Sequence, residues 1–173
     1  MLAGIRHSYF LSDPHSRSLM KQKWRLAPGF IGTILMHGQD NERLIATFMQ
    51  LLSDGQIDRA FEQLSDDLKW EVVATSRPAV LTKEQLRTAV AAMISVFVDG
   101  SFRMSPIGMV ASETTVAVES ESYAKIRGGK IYNNKYHSLF FIQDGKITQV
   151  REYADTAHVL DVLMPAIAAS RSK

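Results

Sequence analysis

At 173 residues, with 46% hydrophobic and 22% charged side chains, the chain has the composition of one ordinary globular domain with room for a substantial core. It has no cysteine, which excludes disulfides and thiolate metal sites and fits a reducing, cytoplasmic location. The net charge of +2 is uneven: residues 1–38 carry +4 and the remainder −2, so the basic balance belongs to an N-terminal arm and does not mark a nucleic-acid-binding domain.

That arm holds Arg6, Arg17, Lys21, Lys23 and Arg25 against Asp13 alone. The apolar run behind it, Leu26 to Met36, is interrupted by Pro28, Gly29 and Gly32 and has no small-x-small cleavage site, so it does not read as a signal peptide. It is also too short to span a bilayer, which takes about 20 apolar residues. Residues 1–38 therefore read as a basic extension, 39–166 as the domain, and 167–173 as a tail that frays.

Asp40 to Ser53 predicts an amphipathic helix, because Leu44, Ile45, Phe48, Leu51 and Leu52 recur on one face of a 3.6-residue period. A short helix over about Asp58 to Leu64 follows, then a strand over Lys69 to Ala74 that Arg77-Pro78 breaks. Thr82 opens the helix expected to be longest. Thr82-Lys-Glu-Gln85 has the capping-box form, Leu86, Val90, Met93, Ile94 and Phe97 supply the buried stripe, and Asp99-Gly100 ends it. Four strands come next, roughly Phe102–Val110, Thr115–Ile126, Tyr132–Gln143 and Lys146–Tyr153, turning near Ser112-Glu113, Gly128-Gly129 and Asp144-Gly145. A last helix starts near Thr156, whose hydroxyl can cap it, and buries Val159, Leu160 and Leu163 before Pro165 disturbs it. The order predicts an α+β fold in which a curved antiparallel sheet wraps on a helix layer.

This order, together with Tyr-Asn-Asn-x-Tyr at 132–136, Asp-Gly-Lys-Ile at 144–147 and Arg-Glu-Tyr-x-Asp-Thr at 151–156, resembles the SnoaL-like branch of the NTF2-like superfamily over about residues 40–165. The resemblance implies a conical barrel with three N-terminal helices and a C-terminal one. It also implies an apolar pocket at the mouth and a homodimer. Set against ketosteroid isomerase, the three catalytic positions fall on Phe48, Val72 and Ser138, none of which keeps the chemistry. Set against limonene-1,2-epoxide hydrolase, the two acids fall on Glu121 and Glu152, the bridging arginine on Glu119, and the water-holding pair on Trp70 and Val72. Trp70 offers one donor and Val72 nothing.

Strand alternation by itself leaves the direction of Glu119 and Glu121 open. They share a face with Tyr123 and Lys125, and that face is either solvent or dimer rim if Val116, Val118, Ser120 and Ser122 form the core side; the resemblance turns the glutamates to the pocket. If they point inward, Glu152 and Glu121 form an acid/base pair whose pKa values Glu119 and burial push apart. Arg103, on the neighbouring strand, is then a candidate for the missing positive charge.

Phe48, Trp70, Val72, Tyr123, Tyr136 and Phe140 are the expected substrate-binding wall. His158, near the mouth, is a further polar contact. No phosphate loop, nucleophile elbow or zinc motif occurs, and no cofactor, metal, membrane or nucleic-acid partner is expected. The resulting expectation is a cofactor-independent isomerase or cyclase, less favourably a hydrolase, acting on a hydrophobic oxygenated small molecule. The alternative is a non-catalytic dimeric module that binds a ligand or a partner protein.

Overall fold

The structure, a computed structural model, describes residues 28–171. The basic arm up to residue 27 and the last two residues lie outside it, and so do the readings made of them.

Helix α1 runs from Pro28 to Ser53, so it begins inside the segment expected to be an extension and is longer than the helix opened by Thr82. Proline suits a helix start, where its missing N–H has no partner to lose. The boundary expected at residues 38 and 39 falls within this helix. Gly38 there is buried against Ala111, and Asn41 donates to the Ser112 and Glu113 carbonyls at 3.1 and 3.0 Å. Ile45, Phe48 and Leu51 are buried at the helical spacing, with Met49 beside them.

Helix α2 (Ile57–Glu62) buries Ala60 and Phe61, and Leu64 opens strand β1 (Leu64–Val72). A strand missing from the sequence reading, β2 (Ala79–Leu81), folds back on β1 after the Arg77-Pro78 break. Helix α3 (Lys83–Ser95) carries the predicted capping box, with both Thr82 and Gln85 bonds present. Only its Leu86 is fully buried, since Val90, Met93 and Ile94 face a cavity.

Strands β3 (Arg103–Ala111), β4 (Thr115–Lys125), β6 (Lys135–Gln143) and β7 (Lys146–Ala154) form the expected antiparallel meander, and the short β5 (Ile131–Tyr132) pairs with β4. Among the described residues, seven strands make one curved sheet ordered β2-β1-β7-β6-β4-β3. β1 lies parallel to β7, a long-range pairing that no local pattern announces. The β6–β7 turn has Asp144 at φ 52° and Gly145 at φ 70°, the left-handed pair that a two-residue hairpin requires.

A bulge between Phe141 and Ile142 shifts the β6–β7 register, pairing Phe141 with Gln149 but Ile142 with Ile147. The extra residue puts Ile147 on the same buried side as Val150, where plain alternation separates them.

The C-terminal segment comprises α4 (Thr156–His158), a π-helical turn (Val159–Leu163) and α5 (Met164–Ser170). Its cap is Asp155, not Thr156: the aspartate side chain accepts from the Ala157 and His158 N–H groups at 3.1 and 3.2 Å. The widened turn directly precedes Pro165, which has no N–H to donate to the helix. Leu163 is buried, Val159 partly so, and Leu160 is exposed. The helix persists to Ser170, and Ile167 packs into the domain where the reading expected fraying. No helix among the described residues is long and apolar enough to cross a membrane.

Candidate functional site

Between the inner face of the sheet and the helices lies a cavity of about 500 Å3, within the size range of small-molecule sites. Its wall is mostly apolar. Phe48 from α1, Trp70 from β1 and Phe140 from β6 meet there at ring-centroid distances of 6.3 to 6.4 Å. Leu86, Val90 and Met93 of α3 close one side, and Leu160, Leu163 and Met164 of the C-terminal segment close another.

Glu152 enters this space from β7, two residues beyond the buried Val150 and therefore on the same face. Ser138 of β6 pairs with it on one side and Val72 of β1 on the other. Its backbone carbonyl accepts from the Val73 N–H at 2.8 Å, which fixes the strand at that point. Burial in apolar surroundings raises its carboxyl pKa to about 7, and the Trp70 indole N–H, bonding to the charged form, offsets part of that rise. Near neutral pH the group is thus divided between acid and base.

Beside it stands a network of hydroxyls. Tyr132 Oη and Tyr136 Oη are 2.9 Å apart, and Tyr136 Oη lies 3.2 Å from Ser122 Oγ. One amide anchors this network at Tyr132. Asn134 Oδ1 accepts from the Lys135 N–H at 2.8 Å, which leaves Asn134 Nδ2 to donate to Tyr132 Oη at 3.0 Å. Tyr132 and Tyr136 share the next bond, in which either hydroxyl can be the donor. The Tyr136 hydroxyl also meets Ser122 Oγ and lines the cavity, where it can bond to an oxygen of a ligand.

Burial raises the pKa of both phenols, and the negative charge of Glu152 adds to the rise, so both remain protonated donors. Ser120 and Ser138 are buried along the same wall, and their hydroxyls have no hydrogen-bond partner among the described residues.

The SnoaL-like domain model matches residues 45–150, more than half of the chain. The chain belongs to the SnoaL-like family. Solved structures give the same answer for the fold. PrhC from Penicillium brasilianum is 18% identical with a TM-score of 0.67, over 78% of this chain and 92% of that one. BvnE pinacolase from Penicillium brevicompactum is 20% identical with a TM-score of 0.62, over 75% and 94%. An LEH-like epoxide hydrolase of M. tuberculosis is 21% identical with a TM-score of 0.59, over 78% and 97%. At such identities the likeness establishes the α+β NTF2-like fold and no particular activity. No curated protein sequence matches the chain.

Within this SnoaL-like fold the predicted site residues divide. Phe48, Trp70, Val72, Tyr136, Phe140 and Glu152 all line the cavity. Glu119, Glu121 and Tyr123 do not. On β4 the buried face is Val116, Val118, Ser120, Ser122 and Ala124, and the glutamates and Tyr123 are exposed on the opposite face. The expectation that Glu119 and Glu121 join Glu152 is therefore overturned. The reason is desolvation: two more carboxylates in an apolar cavity are heavily penalised, whereas small hydroxyls are not. Glu121 instead lies 3.7 Å from Lys135 in solvent.

Arg103 does not supply a positive charge to the site either. Its guanidinium is held by the carbonyls of Ser53, Gly100 and Phe102 at 3.3, 2.9 and 2.6 Å. His158 stacks on Tyr132 with centroids 5.5 Å apart and accepts from the Asn133 N–H at 3.3 Å, so it buttresses a phenol and does not line the cavity.

Ser120 was not among the expected site residues, and Ser138 entered only as a catalytic position that had lost its chemistry. The period-two pattern already placed Ser120 with Val116 and Val118, and Ser138 and Asn134 with Phe140. What it lacked was any sign that this side is hollow. Among the described residues no group of three or more His, Cys, Asp or Glu is placed to hold a metal ion.

Proposed function

We propose that this SnoaL-like protein binds an apolar, oxygenated small molecule, such as a ketone, a polyketide or an epoxide, and uses Glu152 to move a proton on it. One observation carries the reading: Glu152, with a pKa of about 7, is the only carboxyl lining the cavity among the described residues, and it shares that cavity with the Tyr136 phenol. A group divided between its two forms at neutral pH accepts and returns protons with little driving-force penalty.

In the charged form, Glu152 removes a proton from a carbon beside a carbonyl, while the Tyr136 O–H holds the oxygen on which charge develops. In the neutral form it delivers that proton to another carbon, which isomerises the ligand. Alternatively the enolate carbon attacks a second carbonyl, whose C=O π bond breaks, and Glu152 gives the proton to the alkoxide formed there, which closes a ring. Tyr136 thus takes the partner role that the sequence reading gave to Glu121. Water addition, as the name of the epoxide hydrolase neighbour suggests for that protein, is less favoured here because no second carboxyl lines the cavity among the described residues. We further propose a cytoplasmic homodimer built on the outer sheet face. Val110, Tyr123 and Tyr153 are exposed there, and size-exclusion light scattering at twice the chain mass is the check.

The test is a panel of steroids, terpene epoxides, polyketide aromatics and acyl ketones, screened for binding and turnover with wild type and Glu152→Gln. A loss of turnover of about a hundredfold or more, with binding retained, supports the reading. Equal turnover removes Glu152 from the chemistry. Binding without turnover by the wild type moves the protein to the alternative class, a non-catalytic ligand-binding module.

A further inference from the structure

Apart from Thr156 at the start of the C-terminal segment, the polar groups that line the cavity lie in two sets. Ser120, Ser138 and Tyr132 are buried, at 1%, 4% and 2% exposure, and form its floor with Glu152 and Tyr136. Ser76 and Arg77 line the same cavity yet are exposed, and so mark its mouth with the half-open Leu160 and Met164. Apolar wall separates the two.

Arg77 is the only basic side chain that lines the cavity among the described residues. It is also unlike the other arginines from residue 40 to residue 151. Arg43, Arg87, Arg127 and Arg151 each pair with a carboxylate, Arg59 bonds to Gln56, and Arg103 is held by carbonyls. The guanidinium of Arg77 has no ion pair or hydrogen bond among the described residues.

Its place is set by the strands beneath it. The loop over 73–78 leaves β1 at Val72 and re-enters the sheet at Ala79, and these two residues pair with each other. Val72 also pairs with Glu152, and the next residue, Val73, donates its N–H to the Glu152 carbonyl. The loop therefore begins beside Glu152 on the neighbouring strand, and Pro78 restricts the backbone of Arg77 to extended conformations.

We infer that the molecule this cavity takes is a carboxylic acid, bound with its carboxylate on Arg77 at the mouth and its oxygenated apolar body reaching inward to Tyr136. This inference deepens the functional reading above and rests on it. A permanently charged planar fork matches a carboxylate in two parallel bonds. A phosphate dianion calls for more than the one cation that lines the cavity among the described residues. The apolar wall excludes a second charge on the body of the ligand.

The experiment uses a homologous series of medium-chain keto acids and the methyl esters of the same acids, with binding measured by calorimetry on the full chain. Wild type is expected to bind at least one acid about tenfold more tightly than its ester, with the difference shrinking as salt rises. Arg77→Gln removes that preference and leaves ester binding unchanged, and Arg77→Lys keeps part of it. Both variants sit in an exposed loop and are expected to fold.

Equal affinity for acid and ester, no binding of any acid, or a preference that survives Arg77→Gln overturns the inference. Failure of the underlying reading is seen separately with Glu152→Gln. If that variant binds and turns over the esters as wild type does, at every pH, Glu152 is not the working group whatever Arg77 does.

Discussion

The two faces of strands β4, β6 and β7 carry similar residues in opposite roles. Glu152 faces the cavity and is shifted toward neutral pH by desolvation, while Glu119 and Glu121 lie exposed on the other side. Tyr136 faces in and belongs to a bonded network, whereas Tyr153 faces out at 45% exposure. Phe140 is buried at 2%, and its neighbour Phe141, on the outer face, only partly. Chemical type therefore says little here about role. The packing against each face decides it, because the same carboxylate keeps its hydration on one side and loses it on the other.

Each inner and outer pair offers a way to break that contrast. The largest stability effect is expected for the phenylalanines. Phe140→Ala should lower stability by roughly 3–5 kcal/mol, and Phe141→Ala by under about 1 kcal/mol, measured by denaturant unfolding. Similar losses for both would mean that the outer face is as tightly packed as the inner one.

The glutamates come next. The folded-state pKa of Glu152 is raised, so its burial weighs nothing below the unfolded value near 4.5, grows as pH rises toward about 7 and then levels off. Glu152→Gln should therefore melt like wild type at acid pH and gain up to roughly 3 kcal/mol above pH 7. Glu121→Gln, exposed and loosely paired with Lys135, should stay within about 0.5 kcal/mol at every pH. A flat difference between Glu152→Gln and wild type across that pH range would place Glu152 in solvent.

The smallest effect separates the tyrosines. Tyr136→Phe removes the hydroxyl bonded to Tyr132 and Ser122 and should lose roughly 1–2 kcal/mol, along with affinity for ketone ligands in the panel. Tyr153→Phe should change neither.

Much of this architecture was legible in the residues themselves. The helical stripe of Ile45, Phe48 and Leu51, the Thr82–Gln85 capping box, the Asp144-Gly145 hairpin and the inner face of β5 and β6 from Tyr132 to Ile142 all follow from spacing and turn chemistry. These are interactions within a few residues, so the chain states them wherever it folds. Glu152 was legible too, as a carboxylate in line with Val150.

Tertiary structure decided the rest. It aligned β1 parallel with β7, turned Ile147 inward through a bulge, and chose Ser120 and Ser122 over Glu119 and Glu121 for the inner side of β4. It also brought Arg77, from a loop with no pattern of its own, to the mouth of the cavity. Alternation tells which residues share a face, but not which face loses its water. That depends on helices and strands distant in sequence, whose arrival sets the desolvation that makes a carboxylate reactive or leaves it as surface charge.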